Sequence, residues 1–296
     1  MLAIDASDIV FDLGEKRVLD HANLRAEPGE IICIWGPSGG GKSTFLRILG
    51  GIEKPSRGSV RFFGRECDMA RPSPLDEARD EVGFVFQNSA LIFNMTIFDN
   101  ILLPLKFRRD KLRSHRRVHR LLTVSLRDLP LMLWDRHGGD RDLRERVDRA
   151  MQNMLVYDLK GKFPHEISLG MQKRAAVARA MALNPKVLLL DEPTGGLDPL
   201  SRQSFLALVS NLNKLRNVTI VLVTHELDLP QALGAKVSVM HDGALTEPLP
   251  FDRLRDSDVP FVRELFLAEK RPADGEMLSD DQIFERLSGT ETASRE

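Results

Sequence analysis

Cysteine is nearly absent from this sequence: only Cys33 and Cys67 occur among 296 residues. Two cysteines are too few for a disulfide framework, and no cysteine spacing typical of a zinc site occurs. Cys33 lies inside the apolar run Ile31–Trp35, so we expect a buried free thiol and a reducing cytosol.

Long apolar runs are lacking as well, and none approaches the roughly 18 residues that a membrane-spanning helix needs. The first ten residues contain two aspartates and no basic residue, which is unlike a secretory signal peptide. Net charge is also small, because 42 basic side chains oppose 43 acidic ones for a formal charge of -1. We therefore expect any role at a membrane to depend on partner subunits.

The sequence does contain short β-type segments and a long middle part with helical patterning. Its 42% hydrophobic and 29% charged residues are ordinary for a globular protein, and its length suits one catalytic domain with additions. The helical middle is predicted to run to about Ala182. Polar residues follow several apolar strands, which is typical of a parallel sheet with a ligand at its carboxyl edge. The predicted strands are Ala3–Phe11, Val18–Leu24, Ile31–Trp35, Gly58–Phe63, Val82–Phe86, Val187–Leu190 and Val218–Val223.

A glycine-rich loop joins the strand Ile31–Trp35 to a predicted helix at Ser43–Leu49. The loop fits the P-loop pattern, in which backbone N–H groups wrap phosphates at a helix amino terminus. In that pattern Lys42 reaches the β and γ phosphates, Ser43 offers its hydroxyl to Mg²⁺, and Thr44 lies close to the phosphates. An ordinary glycine-rich turn is the alternative, but the flanking strand and helix favour a nucleotide. The loop residues are Gly36, Pro37, Ser38, Gly39, Gly40, Gly41, Lys42 and Ser43.

Two adjacent acids, Asp191 and Glu192, end the predicted strand at Leu190. Asp191 suits the shell of a metal ion, and Glu192 suits a general base for an attacking water. The alternative is that these acids cap the next helix. His225 follows another apolar strand, where a lone histidine is more often structural. Its functional role therefore rests on family resemblance, as does that of Gln87.

The order of these motifs resembles that of ABC-transporter ATPases over about residues 3–245. This resemblance implies an α/β fold: a P-loop NTPase core of the ABC ATPase type, with an N-terminal antiparallel β region and an α-helical signature subdomain. It also implies ATP hydrolysis, with ATP and Mg²⁺ as cofactors. The motifs are Gly36–Ser43, Gln87, Ser168-Leu169-Gly170-Met171, Leu190-Asp191-Glu192-Pro193, Gly196-Leu197-Asp198 and His225.

The resemblance implies roles for residues that pattern alone does not assign. Gln87 would act with Glu192 and His225 in hydrolysis, and would couple the metal site to membrane subunits. The magnesium ligands would be Ser43, Gln87 and Asp191. A head-to-tail homodimer would place each ATP between the P-loop of one copy and the signature loop of the other. The signature and dimer-loop residues would be Ser168, Leu169, Gly170, Met171 and Asp198.

Within the family, several sequence segments resemble those of the ATPases of Mce-linked, Mla-type lipid transporters of bacterial envelopes. One is the Gly170-Met171 pair, where most relatives carry Gly-Gln. This likeness implies a permease, a Mce-type lipid-binding protein reached through it, phospholipid or another lipid as cargo, and a place on the cytoplasmic side of the bacterial inner membrane. The other segments are Val85–Leu91, Phe98–Leu105 and Asp258–Phe266.

Two positions depart from the family pattern. Leu169 stands where the family has a glycine, and its side chain is expected to crowd the partner's γ phosphate and slow hydrolysis. Leu13, before Gly14, replaces the aromatic residue that stacks on adenine in many relatives, with Phe11 as a weak substitute. A degenerate ATPase is the alternative, but the retained Lys42 and the retained acids count against it.

The domain boundaries follow from the same resemblance: an ABC ATPase domain at 1–245, with a helical subdomain at about 88–182, and a C-terminal extension at 246–296. A basic insertion at about 106–145 carries eight Lys or Arg against one Asp between Lys106 and Arg120. It either contacts anionic lipid or an acidic partner loop, or is a solvated helix. No nucleic-acid partner is expected, because no groove-reading motif accompanies it.

Other transport roles remain alternatives to lipid cargo, namely lipoprotein release and small-solute import. A non-transport ABC ATPase with a weakened signature loop is a further alternative. Those relatives often fuse two cassettes or insert coiled coils, whereas this sequence has one P-loop and no long heptad run.

Overall fold

The computed structural model describes residues 1–67, 81–114, 141–257, 259 and 262–263, with only the backbone at 110–114. Most of the predicted basic insertion and the predicted extension beyond residue 263 lie outside the described residues. Within the described part, no helix is long and apolar enough to cross a membrane.

The amino-terminal part of the chain forms an antiparallel sheet with the strand order β2-β1-β4-β5. Its inward side chains alternate with exposed ones, as the period-two pattern predicts. The predicted antiparallel β region is therefore confirmed. The strands are β1 (Ile4–Leu13), β2 (Lys16–Ala26), β4 (Arg57–Phe62) and β5 (Arg65–Glu66).

The second sheet has the order β10-β9-β3-β8-β7-β6, with β11 paired to β9. The five strands from β9 to β6 run parallel, so their carboxyl ends share one edge. We call this edge the carboxyl edge. The strands are β3 (Ile31–Trp35), β6 (Val82–Val85), β7 (Val187–Asp191), β8 (Thr219–Thr224), β9 (Lys236–His241), β10 (Ala244–Leu245) and β11 (Leu249–Pro250).

Six helices complete the described fold. α1 follows β3, and α2, α3 and α4 pack together as a helical lobe. α5 and α6 precede β8 and β9, respectively. Their bounds are α1 (Lys42–Leu49), α2 (Ile97–Ser114), α3 (Arg141–Asn153), α4 (Leu169–Met181), α5 (Pro199–Arg216) and α6 (Asp228–Leu233).

The prediction of one long helical middle up to Ala182 is wrong in its continuity. A non-helical segment at 86–96 precedes α2, and short 3₁₀ turns at Tyr157–Leu159 and Pro164–Glu166 separate α3 from α4. The first segment is held by the buried Asn100 amide, which donates to the carbonyls of Ile92, Met95 and Thr96. Side-chain hydrogen bonds of this kind compete with helix formation, which a hydrophobic period does not reveal.

Each central strand divides its side chains between two cores. In β7, Leu188 and Leu190 belong to the core shared with the helical lobe, whereas Val187 and Leu189 belong to the core under the antiparallel sheet and α1. Burial on both faces explains why this strand reads as a continuous apolar run. Cys33 is a buried free thiol in the first core, as expected, and Cys67 is buried in the second.

Candidate functional site

The P-loop leaves β3 at the carboxyl edge and turns into α1. Gly39 and Gly41 have φ of 77° and 96°, a left-handed conformation that favours glycine. A Cβ on Gly41 would lie 2.9 Å from the Val18 carbonyl oxygen, so no side chain fits there. In the described chain no side-chain hydrogen bond caps α1 at Gly41. This glycine-lined turn at a helix amino terminus suits a phosphate group.

Lys42 folds back over this loop. It is 5% exposed, and its Nζ donates to the carbonyl oxygens of Gly36 at 2.8 Å and Pro37 at 2.6 Å. These bonds hold the ammonium group beside the loop. A phosphate held by the loop would therefore meet a positive charge that is already in position.

Ser43 and Asp191 meet beside the loop. The Ser43 hydroxyl donates to Asp191 Oδ1 at 2.7 Å, which joins the first turn of α1 to the end of β7. Burial raises the pKa of the Asp191 carboxyl, while the Ser43 hydrogen bond opposes that rise. A hydroxyl and a carboxylate are the hard oxygen donors that Mg²⁺ prefers, so the residues present fit this ion.

Glu192 follows Asp191 with its backbone in the left-handed region, at φ 40°. Its Oε2 accepts a hydrogen bond from Gln87 Nε2 at 2.7 Å. Its Oε1 lies 3.5 Å from His225 Nδ1, which is too long for a strong hydrogen bond. The chain thus brings together three side chains that follow three neighbouring strands, β6, β7 and β8.

Two residues that the sequence did not single out support this cluster. The Trp35 indole N–H donates to the His225 carbonyl at 3.0 Å and so fixes the backbone beneath the imidazole. Lys173 of α4 lies 4% exposed and donates to the carbonyls of Gln87 and Glu192. No sequence signal marked them, because an indole in an apolar strand and a lysine in a helix have many other uses.

Arg179, also on α4, holds the turn that follows Gln87. Its guanidinium donates to the carbonyl oxygens of Ser89 at 2.8 Å and Ala90 at 2.6 Å. Both of these residues have positive φ, at 59° and 45°. Arg179 therefore stabilises an unfavourable backbone conformation immediately after Gln87.

The signature loop and the dimer loop of the same chain lie against each other. Ser168 caps α4 by accepting from the Met171 N–H at 3.3 Å. Leu169 is 43% exposed, and one of its methyl groups lies 3.0 Å from the place a Cβ on Gly196 would take. A Cβ on Gly170 would in turn approach Ser201 at 3.4 Å. The extra side chain at Leu169 thus packs over the dimer-loop glycine.

Asp198 is the N-cap of α5. Its Oδ1 accepts from the Ser201 N–H at 3.0 Å, and Ser201 lowers the pKa of this exposed carboxyl. An ionised carboxylate at this position also suits the positive end of the helix dipole. In this chain the side chain of Asp198 therefore caps the start of α5 and fixes the direction of the dimer loop.

The two positions considered for adenine differ in accessibility. Leu13 ends β1 and is 67% exposed, just before the turn at Gly14. The Phe11 ring is partly buried and packs on the core under the antiparallel sheet. Leu13 is therefore the more accessible apolar side chain of the two.

Comparison with known proteins agrees with this geometry. The profile of the family described as ABC transporter matches residues 19–195. The Methionine import ATP-binding protein MetN of Legionella pneumophila (strain Paris) is 31% identical over 258 residues, which cover 87% of this chain and 67% of that protein. MetN of Bacillus subtilis (strain 168) is 33% identical over 237 residues, 79% of this chain and 60% of that protein. The chain thus spans about two thirds, or somewhat less, of these relatives.

Solved structures show the same fold. The ATP-binding cassette MJ0796, described as the dimeric structure of a post-hydrolysis state bound to ADP and Pi, has a TM-score of 0.66 at 28% identity and covers 84% of this chain and 98% of its own. cbiO1 from Clostridium perfringens has a TM-score of 0.66 at 24% identity, covers 91% of this chain and 95% of its own, and supports the fold alone. This chain belongs to the ABC transporter family as an ATP-binding subunit that hydrolyses ATP with Mg²⁺.

Proposed function

We propose that this chain drives a membrane transporter through ATP hydrolysis at the carboxyl edge, and that residues 1–245 form its ATPase domain, against whose sheet β11 of the C-terminal extension packs. The observation that carries the proposal is the contact of Gln87 with Glu192 close to the bonded pair Ser43 and Asp191. These groups come from three segments of the chain: the end of β7, the turn after β6 and the first turn of α1. Their meeting beside a P-loop suits a metal-assisted attack of water on a terminal phosphate.

The phosphates are held by backbone N–H groups of the P-loop and by Lys42. Ser43, Asp191 and Gln87 would hold the magnesium ion, which would neutralise phosphate charge when bound. Thr44 lies next to this site in the first turn of α1. The phosphate-binding loop consists of Gly36, Pro37, Ser38, Gly39, Gly40 and Gly41.

Glu192 is the general base in this proposal. It takes a proton from a water whose oxygen attacks the γ phosphorus, while the bond to the β–γ bridging oxygen breaks and ADP leaves with those electrons. His225 and Gln87, on either side of the carboxylate, orient that water. The left-handed backbone of Glu192 is the kind of strain found where a structure over-determines a functional position.

A homodimer completes the site. Ser168, Leu169, Gly170 and Met171 are proposed to close over the ATP held by the partner, with Asp198 orienting the dimer loop. The described chain supports this because Leu169 and Met171 are 43% and 41% exposed. The similar cassette MJ0796 is described as dimeric.

Small-solute import is the cargo class that the relatives favour. Their names specify methionine import, and the identity extends over most of the present chain. We propose an integral membrane permease as the partner, contacted by the helical lobe at 88–182, on the cytoplasmic side of a bacterial inner membrane.

Lipid transport of the Mce-linked, Mla type is the second candidate, and the sequence favours it at particular positions. These positions are the segments Val85–Leu91 and Phe98–Leu105 and the pair Gly170-Met171. A Mce-type protein reached through the permease and anionic lipid contact by the insertion at 106–145 belong to this candidate alone.

Reconstitution separates the two cargo classes. The full chain would be purified with the permease it binds, placed in liposomes, and assayed for ATP hydrolysis with methionine, with a panel of small solutes, or with phospholipid acceptor vesicles. We expect stimulated hydrolysis with a small solute and none with Lys42→Ala. Stimulation by lipid transfer alone would favour the second candidate. A chain that hydrolyses ATP but binds no membrane protein would contradict transport.

Leu169→Gly is expected to raise the rate of hydrolysis about tenfold. The change removes a side chain expected to crowd the partner's γ phosphate, and steric crowding of this kind costs about 1–3 kcal/mol. In the proposed dimer Leu169 lies where the two copies approach, and in the described chain its methyl group packs over Gly196. Steady-state ATPase assays would measure the change. Leu200→Gly, at an exposed leucine near the start of α5, is the matched control and should leave the rate near wild type. A slower Leu169→Gly enzyme would show that the leucine assists closure.

A further inference from the structure

Lys173 is a buried cation that the proposed chemistry does not use. It lies in the second turn of α4 and is 4% exposed. Its Nζ donates to the Glu192 carbonyl at 3.1 Å and to the Gln87 carbonyl at 3.3 Å. Burial lowers the pKa of this ammonium, and the nearby carboxylates Glu192, Glu226 and Asp191 oppose that change. A buried charge of this kind is costly unless it is paired and hydrogen-bonded.

The two carbonyls belong to the residues whose side chains meet each other. Gln87 and Glu192 are joined by a 2.7 Å hydrogen bond between their side chains, and by Lys173 between their backbones. The result is a closed ring of hydrogen bonds through both residues. A ring of this kind fixes side-chain direction as well as backbone direction.

The Glu192 backbone needs such support. Its φ of 40° is unfavourable for a residue with a side chain. The Glu192 carbonyl accepts from Lys173 and from the Gly195 N–H at 3.3 Å, while the Glu192 N–H donates to the Val223 carbonyl at 3.1 Å. Lys173 therefore supplies the one charged hydrogen bond to this peptide among the described contacts.

A purely structural explanation is that Lys173 satisfies two carbonyls so that α4 can pack. An apolar side chain of similar length would fill the same space but would not donate to the two carbonyls, so this explanation requires a donor and not a charge. Both carbonyls also come from functional positions on different strands. The position of the cation therefore fits a role at the site better than a role in packing.

We propose that Lys173 is a positioning residue for hydrolysis, which fixes the backbones of Gln87 and Glu192 so that their side chains meet where the water attacks the γ phosphorus. The inference rests on the proposed function of those two residues. Lys173 also lies one helical turn after Leu169 on α4, so it joins the signature helix directly to the general base. A shift of that helix then changes the direction of the Glu192 carboxylate.

The test uses Lys173→Met in the full chain, because methionine keeps the length of the side chain and removes the donor. We expect kcat to fall about 10²-fold, as for a misplacement near 1 Å, while KM for ATP stays close to wild type. Two carbonyls lose a hydrogen bond, so the melting temperature should fall by a few degrees. Lys173→Arg should recover part of the rate. Arg174→Met is the matched control: it removes a cation from the same helix that donates instead to Ser204 at 2.9 Å, and it should keep kcat.

Two further measurements distinguish this inference from the proposed function. In a Glu192→Gln background, Lys173→Met should leave the residual single-turnover rate unchanged, because residues that act as one unit are not additive. A crystal structure of Lys173→Met should show Glu192 outside the left-handed region and apart from Gln87. A variant structure that keeps the 2.7 Å contact overturns the inference, whatever the ATPase rate. The inference is also overturned if kcat of Lys173→Met falls only as much as the fraction of folded protein falls.

Discussion

Glu192→Gln is expected to lower kcat for ATP hydrolysis by about 10²–10⁴-fold, the contribution of a positioned general base. Glutamine keeps the shape of the side chain and loses the ability to accept the proton of the water. ATP binding should persist, because the phosphate contacts come from the P-loop and Lys42. The ATP-bound dimer should therefore accumulate, which size-exclusion chromatography with Mg²⁺-ATP would show.

The control for this experiment is Glu226→Gln. Glu226 follows His225 in the chain, and its carboxylate pairs with Arg202 at 2.6 Å. It lies near the site without touching Gln87 or Asp191 in the described contacts, so most of the rate should remain. Equal losses for both variants would show a general electrostatic effect and not a proton acceptor. A Glu192→Gln enzyme that hydrolyses ATP normally would remove Glu192 from the mechanism.

Lys42→Ala is expected to reduce kcat/KM by about 10²–10³-fold, the usual loss when one preorganised donor to a reacting oxyanion is removed. The Lys42 ammonium is already held beside the P-loop by the carbonyls of Gly36 and Pro37, so its charge needs no rearrangement when phosphate arrives. Binding of a fluorescent ATP analogue should weaken in parallel. Unlike Glu192→Gln, this variant should not accumulate a dimer with ATP.

Lys54→Ala is the matched control, because Lys54 is exposed and follows the end of α1. It should bind and hydrolyse ATP as the wild type does. If Lys42→Ala bound ATP normally and lost only hydrolysis, the lysine would act in the transition state alone. If both properties were retained, the P-loop would not be the phosphate site.

The sequence predicted four of the five parallel strands and the glycine-rich loop between β3 and α1, because these depend on local patterns, but it did not predict β9. The apolar runs at Ile31–Trp35 and Val187–Leu190 appear as strands within one residue of the predicted bounds. Asp191 can meet Ser43 because β7 ends, and the loop from β3 to α1 begins, at the same edge of the parallel sheet.

Other features of the site depend on contacts between distant segments. The break in the helical middle arises from the Asn100 amide, and the support of Glu192 arises from Lys173 of α4. An asparagine or a lysine within a helix has no distinctive local sequence pattern that would predict such a contact. The roles of Gln87 and His225 rested on family resemblance for the same reason: a glutamine after a strand is informative only when its neighbour across the sheet is known.

Arg179 has a mechanical consequence. Its planar guanidinium attaches two successive carbonyls, those of Ser89 and Ala90, to the helix that begins beside Ser168. A pair of hydrogen bonds from one rigid group resists rotation as well as separation. We therefore expect the turn after Gln87 and α4 to move together as one rigid unit, so that a displacement of the signature loop at the start of α4 also displaces this turn.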